Sequence, residues 1–229
     1  MSEPLQATDR PVRQWKGLTI PEPGTYELDE AHKRVGFVAQ HMMVSPVRGE
    51  FSRAAATIVV GEDPLQSSVR AIIATESLNT HHEDRDTHLR SPDFLDVAQF
   101  PAIEFRSTGV QWHGEKDAIL QWARLRNHNA DRRRVSSDTI ERAELNRAKF
   151  DVTGDLRIKD VTRSVVLRMD FGGANRDPYG RDIFGFHATT DIDREDFGLV
   201  WNVALEAGGW LVGKKVRIEI AGEAVHQAA

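Results

Sequence analysis

Apolar and polar residues alternate strictly along several separated stretches of this chain. In KFDVTGDLRI, residues 149–158, Phe150, Val152, Leu156 and Ile158 fall on one face and charged or hydroxyl side chains on the other. A period of two is typical of an antiparallel strand that buries one face. Turn sequences rich in Gly, Pro and Asp separate such stretches. The same alternation recurs in residues 33–43, 68–75, 102–107, 163–171, 183–193 and 215–222.

Strands with a single apolar face must bury it, either by closing into a barrel or by stacking as two sheets. About eight such strands suit a closed antiparallel barrel, which is wide enough to be filled by side chains or to hold one small ligand. The alternation alone favours neither a filled nor a hollow interior. Many of the inward positions are aromatic: Phe37, Phe51, Phe105, Phe150, Phe184 and Phe186.

Composition restricts the compartment and the partners. The net charge of −5 over 229 residues does not favour nucleic-acid binding, and the absence of cysteine excludes disulfides and thiolate chemistry. The first 24 residues contain no apolar run of signal-peptide length, and no stretch approaches the ~20 apolar residues of a membrane span. We therefore expect a soluble, cytoplasmic protein.

The stretch SLNTHHEDRDTHLRS, residues 77–91, contains three His, three acidic residues and two Arg. Thr80 and Glu83 have the spacing of a capping box, which predicts a short helix over about residues 81–89. The pairs His82–Asp86 and Asp84–His88 lie on different faces of that helix, and no two His are four residues apart. The pattern favours capping and surface ion pairs, and we expect no metal site.

Five motifs, in order along the chain, resemble those of the YceI-like family. The resemblance spans about residues 24–225, which leaves residues 1–23 as an N-terminal extension and 226–229 as a tail. The matching positions are Tyr26, Asp29 and His32; Phe37, His41, Arg48, Gly49 and Phe51; Arg85, Asp86, His88–Ser91, Asp93, Phe94, Asp96, Phe100, Pro101 and Phe105; Gly154, Leu156, Val161 and Thr162; and residues 177–186 with Ile192, Arg194, Asp196–Gly198, Trp201 and Asn202.

The resemblance implies an all-β fold: an elongated, eight-stranded, antiparallel, lipocalin-like barrel with short helices at its ends and a long apolar cavity. Members of the family are associated with binding polyisoprenoids or other long amphiphiles, without established catalysis or a further cofactor, and a homodimer is implied. This favours a hollow interior. The expected ligand-binding residues are Phe37, His41, Phe51, Phe94, Ile103, Phe105, Phe184, Phe186, Ala188 and Trp201.

Polar residues are expected at two places on this barrel. His41 shares a face with Val35 and Phe37, so we predict that it points inward, either as a hydrogen-bonded core residue or as a contact for the polar head of a ligand. Arg85, Asp86 and His88 form a predicted barrel-end polar cluster, in which Arg85 and Asp86 close the mouth as an ion pair. Trp201 is expected to pack over one end.

Residues 119–149 are longer than the usual link of the family. From residue 124 to 149 the segment has eight basic and four acidic residues. We predict an inserted hairpin or helix that extends into solvent. The alternative is a docking surface for an acidic partner, a lipid head group or a membrane, which would allow transient membrane contact.

The predicted function is to carry or sequester a long-chain isoprenoid, such as a polyprenyl lipid or quinone. The sequence lacks the Gly-x-Ser-x-Gly elbow and the Gly-rich phosphate loops of common enzyme classes, so we expect a protein that is not an enzyme. One alternative is an enzyme acting on such a lipid with His41, Arg85 and Asp86. The other is a stress-response or protein-interaction module.

Overall fold

The computed structural model describes residues 12–42, 44–113, 148–204 and 211–228. The predicted insert, residues 119–149, lies outside the described residues except for its last two. Within the described part, the single α-helix, Glu83–Arg90 (α1), is far too short to cross a membrane. Everything else is strands, short 3-10 helices and connecting turns.

The first eight strands are short and occur before or just after sharp turns. They are Val12–Trp15 (β1), Leu18–Pro21 (β2), Gly24–Leu28 (β3), Arg34–His41 (β4), Ser45–Phe51 (β5), Ala54–Val60 (β6), Ser68–Ala74 (β7) and Leu78–Asn79 (β8).

Longer strands form the rest of the sheet, and short 3-10 helices occur at Pro64–Gln66, Thr75–Ser77 and Arg194–Phe197. The longer strands are Ala102–His113 (β9), Lys149–Ile158 (β10), Val161–Arg176 (β11), Asp182–Asp193 (β12) and Val212–His226 (β13).

The main sheet closes on itself as an eight-stranded antiparallel barrel. Neighbouring strands follow the order β12, β11, β10, β9, β7, β6, β3 and β13, and β13 pairs with β12 to complete the ring. Three further strands lengthen the barrel at one end: β4, β5 and β8. β3 pairs with the last residues of β13, and β4 pairs with the earlier part of the same strand. The predicted fold class is confirmed.

The period of two in the sequence accounts for these strands. In β10 the buried positions alternate without a break from Phe150 to Ile158. Gly154 occupies one of the inward positions because the ring of Phe105 lies against it: a Cβ there would be 2.5 Å from Phe105 Cζ. A small residue is therefore required where a large one enters from the next strand.

The barrel has two ends of different construction. At the hairpin end, the β1–β2 hairpin covers the barrel, and Ile20 is buried in a cluster with Tyr26, Phe150 and Phe184. This hairpin lies within the segment predicted as an N-terminal extension. At the helix end, α1 and the 3-10 helix Arg194–Phe197 pack on a second cluster whose members include Leu78, Leu95, Ile103, Phe197 and Leu199.

Candidate ligand-binding site

An apolar cavity of about 310 Å³ lies inside the barrel. Its wall includes Ile20 and Pro21 at the hairpin end and Leu199 and Val212 at the helix end, so the cavity follows the length of the barrel. Pockets for small molecules commonly enclose about 300–1,000 Å³ and are mostly apolar. The barrel therefore encloses a cavity of the size of a small-molecule pocket, in keeping with the hollow interior that the resemblance to the family implied.

Eight of the ten residues predicted to contact a ligand line this cavity. The rings of Phe37 and Phe51 lie 5.9 Å apart between centroids, and those of Phe184 and Phe186 lie 6.1 Å apart. Contact with a ligand stays a prediction for all of them. The eight lining residues are Phe37, Phe51, Phe94, Ile103, Phe105, Phe184, Phe186 and Ala188.

The prediction that His41 points into the barrel is wrong. His41 is the last residue of β4, is exposed, and does not line the cavity. It pairs with Ser45 and Val212, where the strands rise beyond the closed part of the barrel. The alternation of inward and outward side chains along β4 places His41 on the inward face. The surrounding strands that would enclose its side chain, however, do not extend that far.

Trp201 also lies outside the cavity wall, at the helix end. Its ring centroid is 4.4 Å from that of His88 and 5.4 Å from that of Phe94. Phe94 lines the cavity, so Trp201 and His88 form a second aromatic layer behind it. His88 Nε2 is also 3.0 Å from a carboxylate oxygen of Asp93, which fixes the imidazole in this layer.

Arg85 and Asp86 do not form the predicted ion pair; instead, both bind Thr80. The buried carboxylate of Asp86 accepts hydrogen bonds from the Thr80 backbone N–H, at 2.9 Å, and from its hydroxyl. Arg85 donates through Nε to Thr80 Oγ1, at 2.7 Å, and through Nη2 to the Thr80 carbonyl, at 2.8 Å. Thr80 thus lies at the centre of a hydrogen-bonded network, which we call the Thr80 network.

The predicted capping box is wrong because Thr80 is used in this network. α1 begins at Glu83, and its N-cap is His82, whose Nδ1 accepts a hydrogen bond from the Arg85 backbone N–H at 3.4 Å. At the other end of α1, Arg90 donates to the carbonyls of Glu76 and Leu78. These bonds fasten the helix to the edge of the barrel.

Arg194 is a buried residue of the cavity wall that the predicted site omitted. Only 2% of it is exposed, and its guanidinium donates to the carbonyls of Gly213, Leu199 and Val212. Burial lowers the pKa of this guanidinium below its ordinary value. The sequence carried a signal, since Arg194 continues the even-numbered inward positions that begin at Phe184.

Outside the cavity, three side chains have atoms of the kind that can bind a metal ion within 4.8 Å of one another. They are Asp29, His32 and Glu223. His32 Nδ1 is 2.5 Å from Asp29 Oδ2, and Arg181 Nη1 lies 3.9 Å from the other oxygen of Asp29. The hydrogen bond to Asp29 raises the pKa of His32, and the same bond lowers the pKa of Asp29. The cluster is thus held together by hydrogen bonds and ion pairs that His32 and Arg181 make with its carboxylates.

Comparison with known proteins agrees with the fold. A family model described as YceI-like domain matches residues 26–224. A UPF0312 protein of Pseudomonas savastanoi pv. phaseolicola is 32% identical over 169 residues, which are 73% of this chain and 71% of the relative. The family model thus covers nearly the same residues as the resemblance found in the sequence, 24–225.

Two solved structures share the architecture at low sequence identity. Burkholderia cenocepacia BcnA superposes with a TM-score of 0.59 at 18% identity, covering 86% of this chain and 98% of BcnA. A polyisoprenoid binding domain from Saccharophagus degradans, implicated in plant cell wall breakdown, gives a TM-score of 0.56 at 10% identity, covering 90% of this chain and all of that domain. At these identities the likeness is one of fold.

Proposed function

The chain belongs to the YceI-like family, and from that premise we propose that it binds a long-chain isoprenoid or a similar amphiphilic lipid inside its barrel. The apolar cavity supports this ligand class, and a polyisoprenoid binding domain shares the fold. We further propose that the protein carries or sequesters this lipid and performs no chemistry on it.

The observation that supports this most is the apolar character of the cavity wall along its length. Its polar side chains are Ser67, Thr190 and Arg194, and the Arg194 guanidinium is occupied by three backbone carbonyls. Such a wall attracts hydrocarbon through the hydrophobic effect, at ~0.8 kcal/mol per buried CH2 group. A chain of several isoprene units therefore gains enough to exceed the cost of association.

The alternative of an enzyme is less well supported. The side chains that it requires are His41, Arg85 and Asp86, and they do not meet at the cavity. His41 is exposed at the end of β4, whereas Arg85 and Asp86 are engaged by Thr80. General acid–base catalysis needs a titratable group within hydrogen-bonding reach of the reacting atoms, and these three lie outside the cavity wall.

The test is to block the cavity and measure bound lipid. Ala188 is buried and faces the cavity from β12, whereas the preceding residue, His187, is exposed on the outside. Ala188→Trp should reduce the amount of the polyprenol solanesol bound at saturation by at least about tenfold, because the indole fills the cavity. The matched control, His187→Trp, should bind as the wild type does, as measured by organic extraction and native mass spectrometry.

A second variant separates a hollow interior from a filled one. Phe186 is half-buried on the cavity wall, so Phe186→Ala should lower the free energy of unfolding of the lipid-free protein by less than the ~3–5 kcal/mol typical of a packed core. If Phe186→Ala is severely destabilising and Ala188→Trp prevents folding, the interior is packed and the carrier proposal fails.

A further inference from the structure

Exposed apolar side chains are concentrated at the helix end of the barrel. Among the described residues, Met42, Val44, Val200 and Val203 are 43%, 84%, 66% and 45% exposed. Single exposed apolar residues are common on soluble proteins, whereas a group of them marks an interaction surface. The other large apolar residues that are exposed lie apart from one another, on β6, β7, β11 and the β11–β12 turn: Val59, Ile72, Val166 and Tyr179.

The four residues at the helix end belong to two segments that are both hydrogen-bonded to Leu211. The Met42 backbone N–H donates to the carbonyl of Leu211 at 2.8 Å, and the Leu211 N–H donates to the carbonyl of Val203 at 2.9 Å. The tip of the β4–β5 hairpin and the segment after Gly198 therefore form one edge. We call Met42, Val44, Val200 and Val203 the apolar rim.

The apolar rim is continuous with the cavity wall. Leu199 and Val212 line the cavity, and their chain neighbours are Val200 and Leu211. The segment after Gly198 thus faces the cavity at Leu199 and the outside at Val200. The hairpin tip reaches the same place through the hydrogen bond from Met42 to Leu211, the neighbour of Val212.

The charge around the apolar rim identifies the kind of partner. The described residues of 36–49, 198–204 and 211–217 include no Asp or Glu, although the whole chain carries a net charge of −5. They include His41, Arg48, Lys214, Lys215 and Arg217, of which Arg48, Lys214 and Arg217 pair with Glu219, Glu195 and Asp191 at exposed sites. Exposed apolar residues flanked by basic side chains are suited to the surface of an anionic bilayer.

A second copy of the chain fits this surface less well than a bilayer does. A symmetric contact through the rim would place the basic side chains of one copy beside those of the other. Like charges brought together in this way oppose association.

We propose that the apolar rim docks the protein on an anionic lipid bilayer, where the cavity takes up or releases its lipid. The proposal rests on the proposed function, because a long isoprenoid has very low solubility in water and must be passed on by contact. Val44 and Val200 would insert among the lipid head groups, and the basic side chains would face the anionic ones. Docking by the helix end presents the cavity wall at Leu199 and Val212 to the membrane.

The test compares a rim variant with a matched control on vesicles of phosphatidylcholine and phosphatidylglycerol. The rim variant is Val44→Ser with Val200→Ser; the control is Ile72→Ser with Val166→Ser, which removes exposed apolar residues from the outer wall of the barrel. In co-sedimentation with vesicles that contain no polyprenol, the rim variant should bind at least about tenfold more weakly than the wild type. The control should bind as the wild type does.

A second measurement follows solanesol as the full chain transfers it from donor to acceptor vesicles. The rim variant should slow transfer about tenfold and leave the amount bound at equilibrium unchanged, because the cavity is intact. Vesicle binding and transfer equal to the wild type would overturn the proposal. A rim variant that changes the oligomeric state in sedimentation velocity, but not vesicle binding, would assign the rim to a second copy and also overturn it.

Failure of the proposed function gives a different result. If the wild type binds vesicles through the rim but takes up no solanesol from them, the rim docks on membranes and the lipid-carrier proposal is wrong. If the wild type takes up solanesol and its vesicle binding does not depend on the rim, the carrier proposal stands and the docking surface is wrong.

Discussion

The two ends of the barrel are closed by different kinds of interaction. At the hairpin end, aromatic rings pack on one another: Tyr26 and Phe184 lie 5.1 Å apart between centroids, and Trp15 and Trp112 lie 5.0 Å apart. At the helix end, buried polar contacts are added to the apolar packing. The Thr80 network fastens α1, and Arg194 binds the carbonyls at the start of β13.

The difference shows that one barrel can be closed by apolar packing at one end and held by a hydrogen-bonded network at the other. Apolar packing between aromatic rings depends mainly on the area buried, so a conservative substitution should lower the free energy of unfolding only slightly. A buried hydrogen-bonded network is directional, and the loss of one member leaves the others unpaired. Because the apolar rim is also at the helix end, this is where we place the passage of lipid.

The largest effect is expected from Asp86→Ala at the helix end. The substitution removes the charged acceptor of two hydrogen bonds from Thr80 and leaves buried donors unsatisfied, so the free energy of unfolding should fall by about 2–5 kcal/mol. The control is Asp84→Ala on the exposed face of the same helix, with an expected loss within about 1 kcal/mol. Urea unfolding measures both, and equal effects would show that the Thr80 network is not what fastens α1.

A smaller effect is expected from Phe184→Leu at the hairpin end. Leucine keeps most of the buried volume but loses the ring contacts with Tyr26, Phe171 and Phe186, so the loss should be about 1–1.5 kcal/mol. Tyr179→Leu, at a site that is 87% exposed, should change stability by less than about 0.5 kcal/mol. If Phe184→Leu costs more than Asp86→Ala, the contrast between the two ends is reversed.

The smallest effect is expected from Tyr26→Phe, which tests whether the hairpin end contains any polar contribution. Tyr26 Oη donates to the Glu22 carbonyl at 2.9 Å, and loss of this bond should cost about 1 kcal/mol at neutral pH. Burial, the largest cause, raises the pKa of Tyr26 from 10.0 to about 12.

The raised pKa makes this difference dependent on pH. Since the folded protein keeps the Tyr26 proton that the unfolded chain loses, the stabilisation is complete below pH 10.0 and is lost as pH rises towards about 12. The advantage of the wild type over Tyr26→Phe should therefore shrink in urea unfolding between pH 10 and 12. Parallel pH profiles of the two proteins would contradict a raised pKa.

Much of the barrel wall follows from the sequence. The alternation in β10 and β12 assigns Phe150, Val152, Phe184 and Phe186 to the interior, and the structure places them there. Arg194 continues the same alternation and lines the cavity, although the predicted site did not include it.

The polar cluster and the rim could not be predicted in this way. The spacing of Thr80 and Glu83 fits a capping box, yet Thr80 binds Asp86 and Arg85 because the strand delivers it to the other side of the helix start. Val44 and Val200 are far apart in the sequence and belong to one edge because Leu211 bridges their segments. No local pattern connects them.

By itself, the sequence determined which face of each strand is buried, because successive side chains of a strand point to opposite sides whatever surrounds them. Only the tertiary structure decided where the enclosing wall ends, and with it that Phe37 lines the cavity whereas His41, four residues further along the same face, lies in solvent. It also decided the partners of Thr80 and the position of the apolar rim. Parity is a property of the backbone of one strand, whereas enclosure and pairing depend on strands that are distant in the chain.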